Sequence, residues 1–144
     1  MRVSAAIVFV LLAVWAGMII GVSLIATPIK FQAPSLTTQT GAEIGRYTFW
    51  FFIQIELWFL LAAIAAAGLV RAGWITWIVL ALIAIQMAVQ RWWLLPVLDN
   101  RVSQILSGGS PPLSIHHTAY AAIEIIKAAL LITAAALEYR SPLV

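Results

Sequence analysis

Four apolar stretches, each of roughly twenty residues or more, constrain this chain more than any other feature. A segment of that length crosses the hydrocarbon core of a bilayer as a helix. No water is available there to satisfy backbone N–H and C=O groups, so each stretch must close its hydrogen bonds within itself. The spans read as about 3–27, 43–70, 73–95 and 114–138, the first ended by Pro28 and the third by Pro96. They occupy most of the 144 residues. The expected fold class is therefore all-α, an integral membrane four-helix bundle forming a single domain over 1–144.

Composition agrees with that class. Hydrophobic residues make up 64% of the chain and charged residues 9%, against about 25% charged in soluble domains. Mean hydropathy is +1.05. The net charge of +3 is scattered along the chain, which argues against a nucleic-acid partner. The absence of cysteine excludes a disulfide framework, a thiol redox pair and a thiolate metal site. The opening "MRVSAAIVFVLLAVWAGMIIGVSLIA" has the Arg and apolar run of a signal peptide. The run is too long for a typical signal core, however, and no A-x-A cleavage site follows, so it reads as the first span.

The connections are unequal. "VRAGW" joins the second and third spans so tightly that they form an antiparallel hairpin. The other two links, "TPIKFQAPSLTTQTGA" and "PVLDNRVSQILSGGSPPL", leave on one side because the spans alternate. This gives two antiparallel hairpins with both longer loops on one face and both termini on the other. Within the second loop, "SGGSPP" reads as a flexible turn. Basic residues are nearly balanced, with Arg2, Arg71 and Arg140 on the termini side and Lys30, Arg46, Arg91 and Arg101 on the loop side. The default expectation is cytoplasmic termini in a bacterial inner or plasma membrane. Trp50, Trp74, Trp77, Trp92 and Trp93 lie near span ends and read as interfacial anchors. The alternative for Trp92 and Trp93 is a ligand-stacking platform. Gly17 and Gly21 form a GxxxG, read as close packing inside the bundle, with dimerisation as the alternative.

Polar residues inside the spans carry the remaining information. His116, Tyr120, Glu124 and Lys127 follow helical offsets of 4, 4 and 3 and form one stripe, and His117 shares the side of Glu124. Ionisable groups in a span are costly and normally face the protein interior with partners. The second span offers Arg46, Gln54 and Glu56, the third offers Gln86, Gln90 and Arg91, and the first only Ser23 and Thr27. Glu56, Gln86, Glu124 and Lys127 fall near one depth. His116, His117, Arg46, Gln90, Arg91 and Asp99 fall nearer the loop face. The expected intramembrane polar cluster is Glu56, Gln86, Gln90, Arg91, His116, His117, Tyr120, Glu124 and Lys127. Within it, Lys127 pairs by its offset of 3 with Glu124, leaving Glu56 as the odd carboxylate that is protonated or binds a cation. The cluster is either a network fixing helix register or a site for an ion, proton or small ligand. A metal set of His117, Asp99 and Glu124 is the sharpest version, although adjacent histidines diverge by about 100°. No nucleophile triad or phosphate loop appears, and no cofactor is indicated.

Several of these segments resemble one family. "VWAGMIIGVSLIATPIKF", "EIGRYTFWFF", "QRWWLLPVLDNR" and "SIHHTAYAAIE" resemble, in order, the four helices of the transmembrane-protein-205-like family, also called domain of unknown function 4149. The resemblance implies four membrane helices and no assigned catalytic activity, and it transfers no catalytic residue.

Three functions follow as expectations. The first is a non-catalytic membrane protein, an accessory or structural subunit whose partners are the lipid bilayer and other membrane subunits. The second is a small transporter or ion- or metal-binding protein using the polar seam around Glu56, Glu124, Lys127 and His117. The third is a membrane enzyme acting on a lipid or quinone, with His117 as base.

Overall fold

The computed structural model describes residues 3–112 and 114–140. It contains only helices and turns among these residues. In chain order they are α1 (Val3–Ile19), a π-helical segment (Ile20–Ala26), α2 (Thr27–Lys30), α3 (Thr38–Val70), α4 (Trp74–Val89), a second π-helical segment (Gln90–Leu94), α5 (Leu95–Leu106) and α6 (His116–Arg140). Four stretches are long and apolar enough to cross a membrane: Ala6–Lys30, Thr38–Val70, Trp74–Leu106 and His116–Tyr139. The protein is a multi-pass membrane protein built as a four-helix bundle. The first span packs on the second and fourth, and the third packs on the same two.

The prolines do not end their helices. Both π segments stop two residues before a proline, at Ala26 before Pro28 and at Leu94 before Pro96. Proline lacks an N–H and its ring collides with the carbonyl four residues back. A widened π turn relieves both problems, so the helix runs on. Thr27, at the end of the first π segment, donates its hydroxyl to the Val22 carbonyl at 2.8 Å, which also accepts the Thr27 backbone N–H. The third span therefore continues to Leu106 rather than stopping near 95, and much of the expected loop is helix.

The 33 residues of α3 reach about 50 Å, against a hydrocarbon core of about 30 Å. Its first turns and α5 thus stand together at the loop face. Thr37 caps α3 by accepting from the Thr40 N–H. Residues 107–112 are not helical, as the "SGGSPP" reading requires. At the other end, the turn between α3 and α4 holds Arg71 in the left-handed conformation, φ 52°, and Thr76 donates to the Glu138 carboxylate.

The tryptophans at span ends, Trp74, Trp77, Trp92 and Trp93, are exposed on the outer surface. The GxxxG does not pack inside the bundle. Gly17 is exposed, and a Cβ built at Gly17 or Gly21 meets nothing within 4 Å. The bundle's contacts use the face of Leu12, Trp15 and Ile19 instead.

The buried positions of the two hairpins repeat. Leu12, Trp15, Ile19, Phe52, Glu56, Leu60, Ala63 and Ala67 are buried, and so are the residues 68 positions later: Leu80, Ile83, Met87, Tyr120, Glu124, Ala128, Leu131 and Ala135. Pro28 and Pro96 stand in the same relation, and the two π segments end in register. Spans one and three run in the same direction, as do two and four. The two hairpins thus share a burial pattern at a spacing of 68 residues and run in the same sense through the bundle.

Candidate functional site

The centre of the bundle holds a closed polar network with three charged residues, Glu56, Glu124 and Lys127, all fully buried. Lys127 extends from the fourth span, and its Nζ is surrounded by four oxygens. It donates to Glu56 Oε1 at 2.7 Å and Oε2 at 2.8 Å, and to Gln90 Oε1 at 2.9 Å. Glu124 Oε1 lies at 2.9 Å. The other groups fix these acceptors in place. Trp15 Nε1 donates to Glu56 Oε1 at 3.1 Å, Gln90 Nε2 to Glu124 Oε1 at 2.7 Å, and Ser23 Oγ to Glu124 Oε2 at 2.9 Å. All four spans contribute, and the two π segments supply Ser23 and Gln90. The expected Lys127–Glu124 pair forms. Lys127 also holds both oxygens of Glu56, the carboxylate expected to stand apart from that pair. An offset of 3 places Lys127 beside Glu124 on its own helix, but the long lysine stem also reaches across to the diagonal helix. In a low-dielectric core, charges are retained only when paired and hydrogen-bonded in this way.

Of the expected cluster, Glu56, Gln90, Tyr120, Glu124 and Lys127 are fully buried and face inward. The Tyr120 hydroxyl and Gln86 Oε1 are buried without a hydrogen-bond partner among the described residues. Arg91, His116 and His117 do not join. Arg91 is one residue past Gln90 and so points off the core face, where its guanidinium lies 4.2 Å from the Trp50 ring centroid. His116 begins α6, is braced by Ser114 and meets Trp93 edge-on at 6.0 Å. His117 is exposed and meets Phe49 edge-on at 6.1 Å. A helix start rises above the level at which four helices still enclose a core, which is why the stripe loses its partners there. The metal set is not assembled either. Glu124 sits in the core with Lys127, while His117 and Asp99 lie at the loop face. Among the described residues no three of His, Asp and Glu converge.

Ser23, which the first span offers, joins the network, and so does Trp15, which the sequence reads as no partner of the polar stripe. Trp15 was identifiable by its position. It lies near mid-span, where an indole N–H finds no headgroup and needs an internal acceptor.

A second feature lies at the loop face. A cavity of about 420 Å³ opens between the first turns of α3, α5 and the segment 31–38. Its walls are largely apolar, with Leu36, Phe49, Leu95, Leu98 and Ile105 among them. Gly41 lets the segment before α3 fold back, since a Cβ there would come within 2.7 Å of the Phe31 ring. Gly45 is buried, yet a Cβ on it meets nothing within 4 Å, so it faces the open volume. Arg46 closes one wall through Asp99, Nε to Oδ1 at 2.7 Å, and through Ser103 Oγ at 2.6 Å. A smaller cavity of about 350 Å³ lies between the second and third spans, by Gln54, Met87 and Arg91. Neither cavity is lined by Glu56, Glu124 or Lys127.

Fold and site together define a four-span membrane protein with a sealed ionic core. No family model, curated protein or solved structure matches the chain.

Proposed function

We propose that the protein is a non-catalytic membrane subunit, a rigid four-span scaffold that works by association with another membrane chain. One observation carries this reading. The buried charged groups are bonded to one another, with Lys127 held by two carboxylates and an amide, and neither the loop-face cavity nor the one between the second and third spans is lined by them. A transport site needs a water path to its charged groups, and an enzyme needs a base held by an orienting partner. His117, the base of the enzymatic reading, has an aromatic edge contact with Phe49 rather than a carboxylate to orient it. The resemblance to the transmembrane-protein-205-like family, which has no assigned catalysis, supports the same reading.

With the core closed, association falls to the outer surface. The stripe of Ala13, Gly17 and Gly21 on the first span is open and small enough for a second helix to approach closely. We place both termini in the cytoplasm. Because the chain has no cysteine, Gly17→Cys introduces a single thiol. Oxidative cross-linking in native membranes is expected to trap a larger species from this position and not from Trp58→Cys, at an exposed mid-span site of the second span. A protein that stays monomeric from every position along the stripe refutes the proposal.

A further inference from the structure

We propose that the loop-face cavity binds an anionic phospholipid, with the start of an acyl chain in the apolar volume and the phosphate on Lys30 and Arg101. The proposal goes beyond the subunit reading and does not depend on it.

The cavity sits at the depth where such a molecule is found. Its walls come from the first turns of α3, which extend past the hydrocarbon thickness, and from α5. Trp50, on its rim, and the exposed Trp92 and Trp93 mark the interfacial level nearby. Its volume, about 420 Å³, lies in the range of small-ligand sites. Gly45 keeps that volume open, because any larger residue there would project into it.

The charges around the mouth are unbalanced. Arg46 and Asp99 neutralise each other. Two cations remain. The Lys30 ammonium lies 5.3 Å from the Phe31 ring centroid and 5.9 Å from that of Phe49, both wall residues, and no carboxylate pairs with it among the described residues. Arg101 donates to the Pro112 carbonyl at 2.6 Å, and no carboxylate pairs with it among the described residues. Glu43 is exposed on α3 and is not part of the wall. An apolar volume with Arg101 in its wall and Lys30 beside it is complementary to an anionic head on an apolar body. A zwitterionic head carries its own cation and gains less.

The test uses the whole 144-residue chain, delipidated in a neutral detergent, with dioleoyl phosphatidylglycerol and dioleoyl phosphatidylcholine as probes and the thermal unfolding midpoint as readout. Phosphatidylglycerol is expected to raise the midpoint saturably, at a half-saturating concentration at least about tenfold below that of phosphatidylcholine. Millimolar inorganic phosphate is expected to leave the midpoint unchanged, because it has no apolar part. Gly45→Leu fills the cavity and is expected to abolish the response while the protein stays helical. Lys30→Gln combined with Arg101→Gln keeps the cavity and is expected to bring phosphatidylglycerol down to the level of phosphatidylcholine. The second variant decides the matter should the first fail to fold. Equal responses to the two lipids, a full response to phosphate alone, or a double variant that still prefers phosphatidylglycerol would each overturn the proposal.

Discussion

The hairpin of the first two spans and the hairpin of the last two share many buried positions, yet they treat the bundle axis differently. Each brings one glutamate to the centre, Glu56 and Glu124, 68 positions apart. Three residues further on, the second hairpin has Lys127 where the first has Phe59. Phe59 packs beside Trp15, ring centroids 6.1 Å apart. Lys127 lies between the two carboxylates. A strictly symmetric bundle would have either no cation on its axis or two. Two carboxylates without a cation repel in a medium where charge is expensive, and two ammonium groups would compete for one small space. A single lysine on one hairpin satisfies both glutamates, so the repeat is stable because it is broken at this position.

The largest effect is expected from removing that lysine. Lys127→Phe makes the hairpins alike and leaves Glu56 and Glu124 facing each other uncompensated. Breaking a buried ionic pair in this way costs about 3–5 kcal/mol, which should appear as a large fall in the thermal midpoint in detergent. The comparison becomes sharper if the lysine is moved rather than lost. Phe59→Lys added to Lys127→Phe should recover part of the loss, because position 59 lies three residues past Glu56 as 127 lies past Glu124. A double variant no more stable than Lys127→Phe would show that the two positions are not equivalent.

Next in size is Glu56→Gln. Both oxygens of Glu56 face donors that cannot accept: Lys127 Nζ meets both, and the Trp15 indole meets one. A glutamine must turn its NH2 toward one of them, leaving donor against donor. The expected cost is about 1–3 kcal/mol, measured in the same unfolding experiment. A neutral result would mean that one carboxylate suffices for Lys127, and the four-oxygen arrangement would lose its meaning as the bundle's fixed point.

Much of this was legible in the chain, and the rest failed for identifiable reasons. Four spans and the tight turn at Arg71 follow from apolar run lengths. Tyr120, Glu124 and Lys127 follow from helical offsets, because a stripe of polar residues in a lipid helix has only the interior to face. The continuation past Pro28 and Pro96 was not legible, since the rule that proline ends a helix assumes α-helical hydrogen bonding, and a π turn escapes it. His116 and His117 were assigned by face alone, although their position at the helix start decides whether anything surrounds them. Trp15 was passed over because tryptophan in a membrane protein reads first as an interfacial anchor. The equal spacing from Pro28 to Glu56 and from Pro96 to Glu124 is visible in the sequence, but pairing the hairpins by it also requires knowing which positions are buried.

The smallest effect is expected from Glu124→Gln, and it completes the comparison between the two glutamates. Glu124 occupies the position equivalent to Glu56, but its surroundings differ in one chemical respect. Its Oε1 faces two donors, Lys127 and the Gln90 amide, while its Oε2 faces only the Ser23 hydroxyl. A hydroxyl can donate or accept. In Glu124→Gln the amide oxygen can remain toward Lys127 and Gln90, and the new NH2 can point at Ser23, which rotates its hydrogen away and accepts. Every hydrogen bond of the network is then kept with one polarity reversed. The buried charge also falls from two carboxylates and one ammonium to a matched Glu56–Lys127 pair. The expected loss is below about 1 kcal/mol, smaller than for Glu56→Gln at the same repeat position. Adding Ser23→Ala tests the reason. In the native protein Ser23→Ala removes one donor from a carboxylate that keeps others. In the glutamine background it strands the new NH2, so its cost there should be larger. If the order of Glu56→Gln and Glu124→Gln is reversed, or if Ser23→Ala costs the same in both backgrounds, the donor and acceptor pattern does not set the difference between the two hairpins.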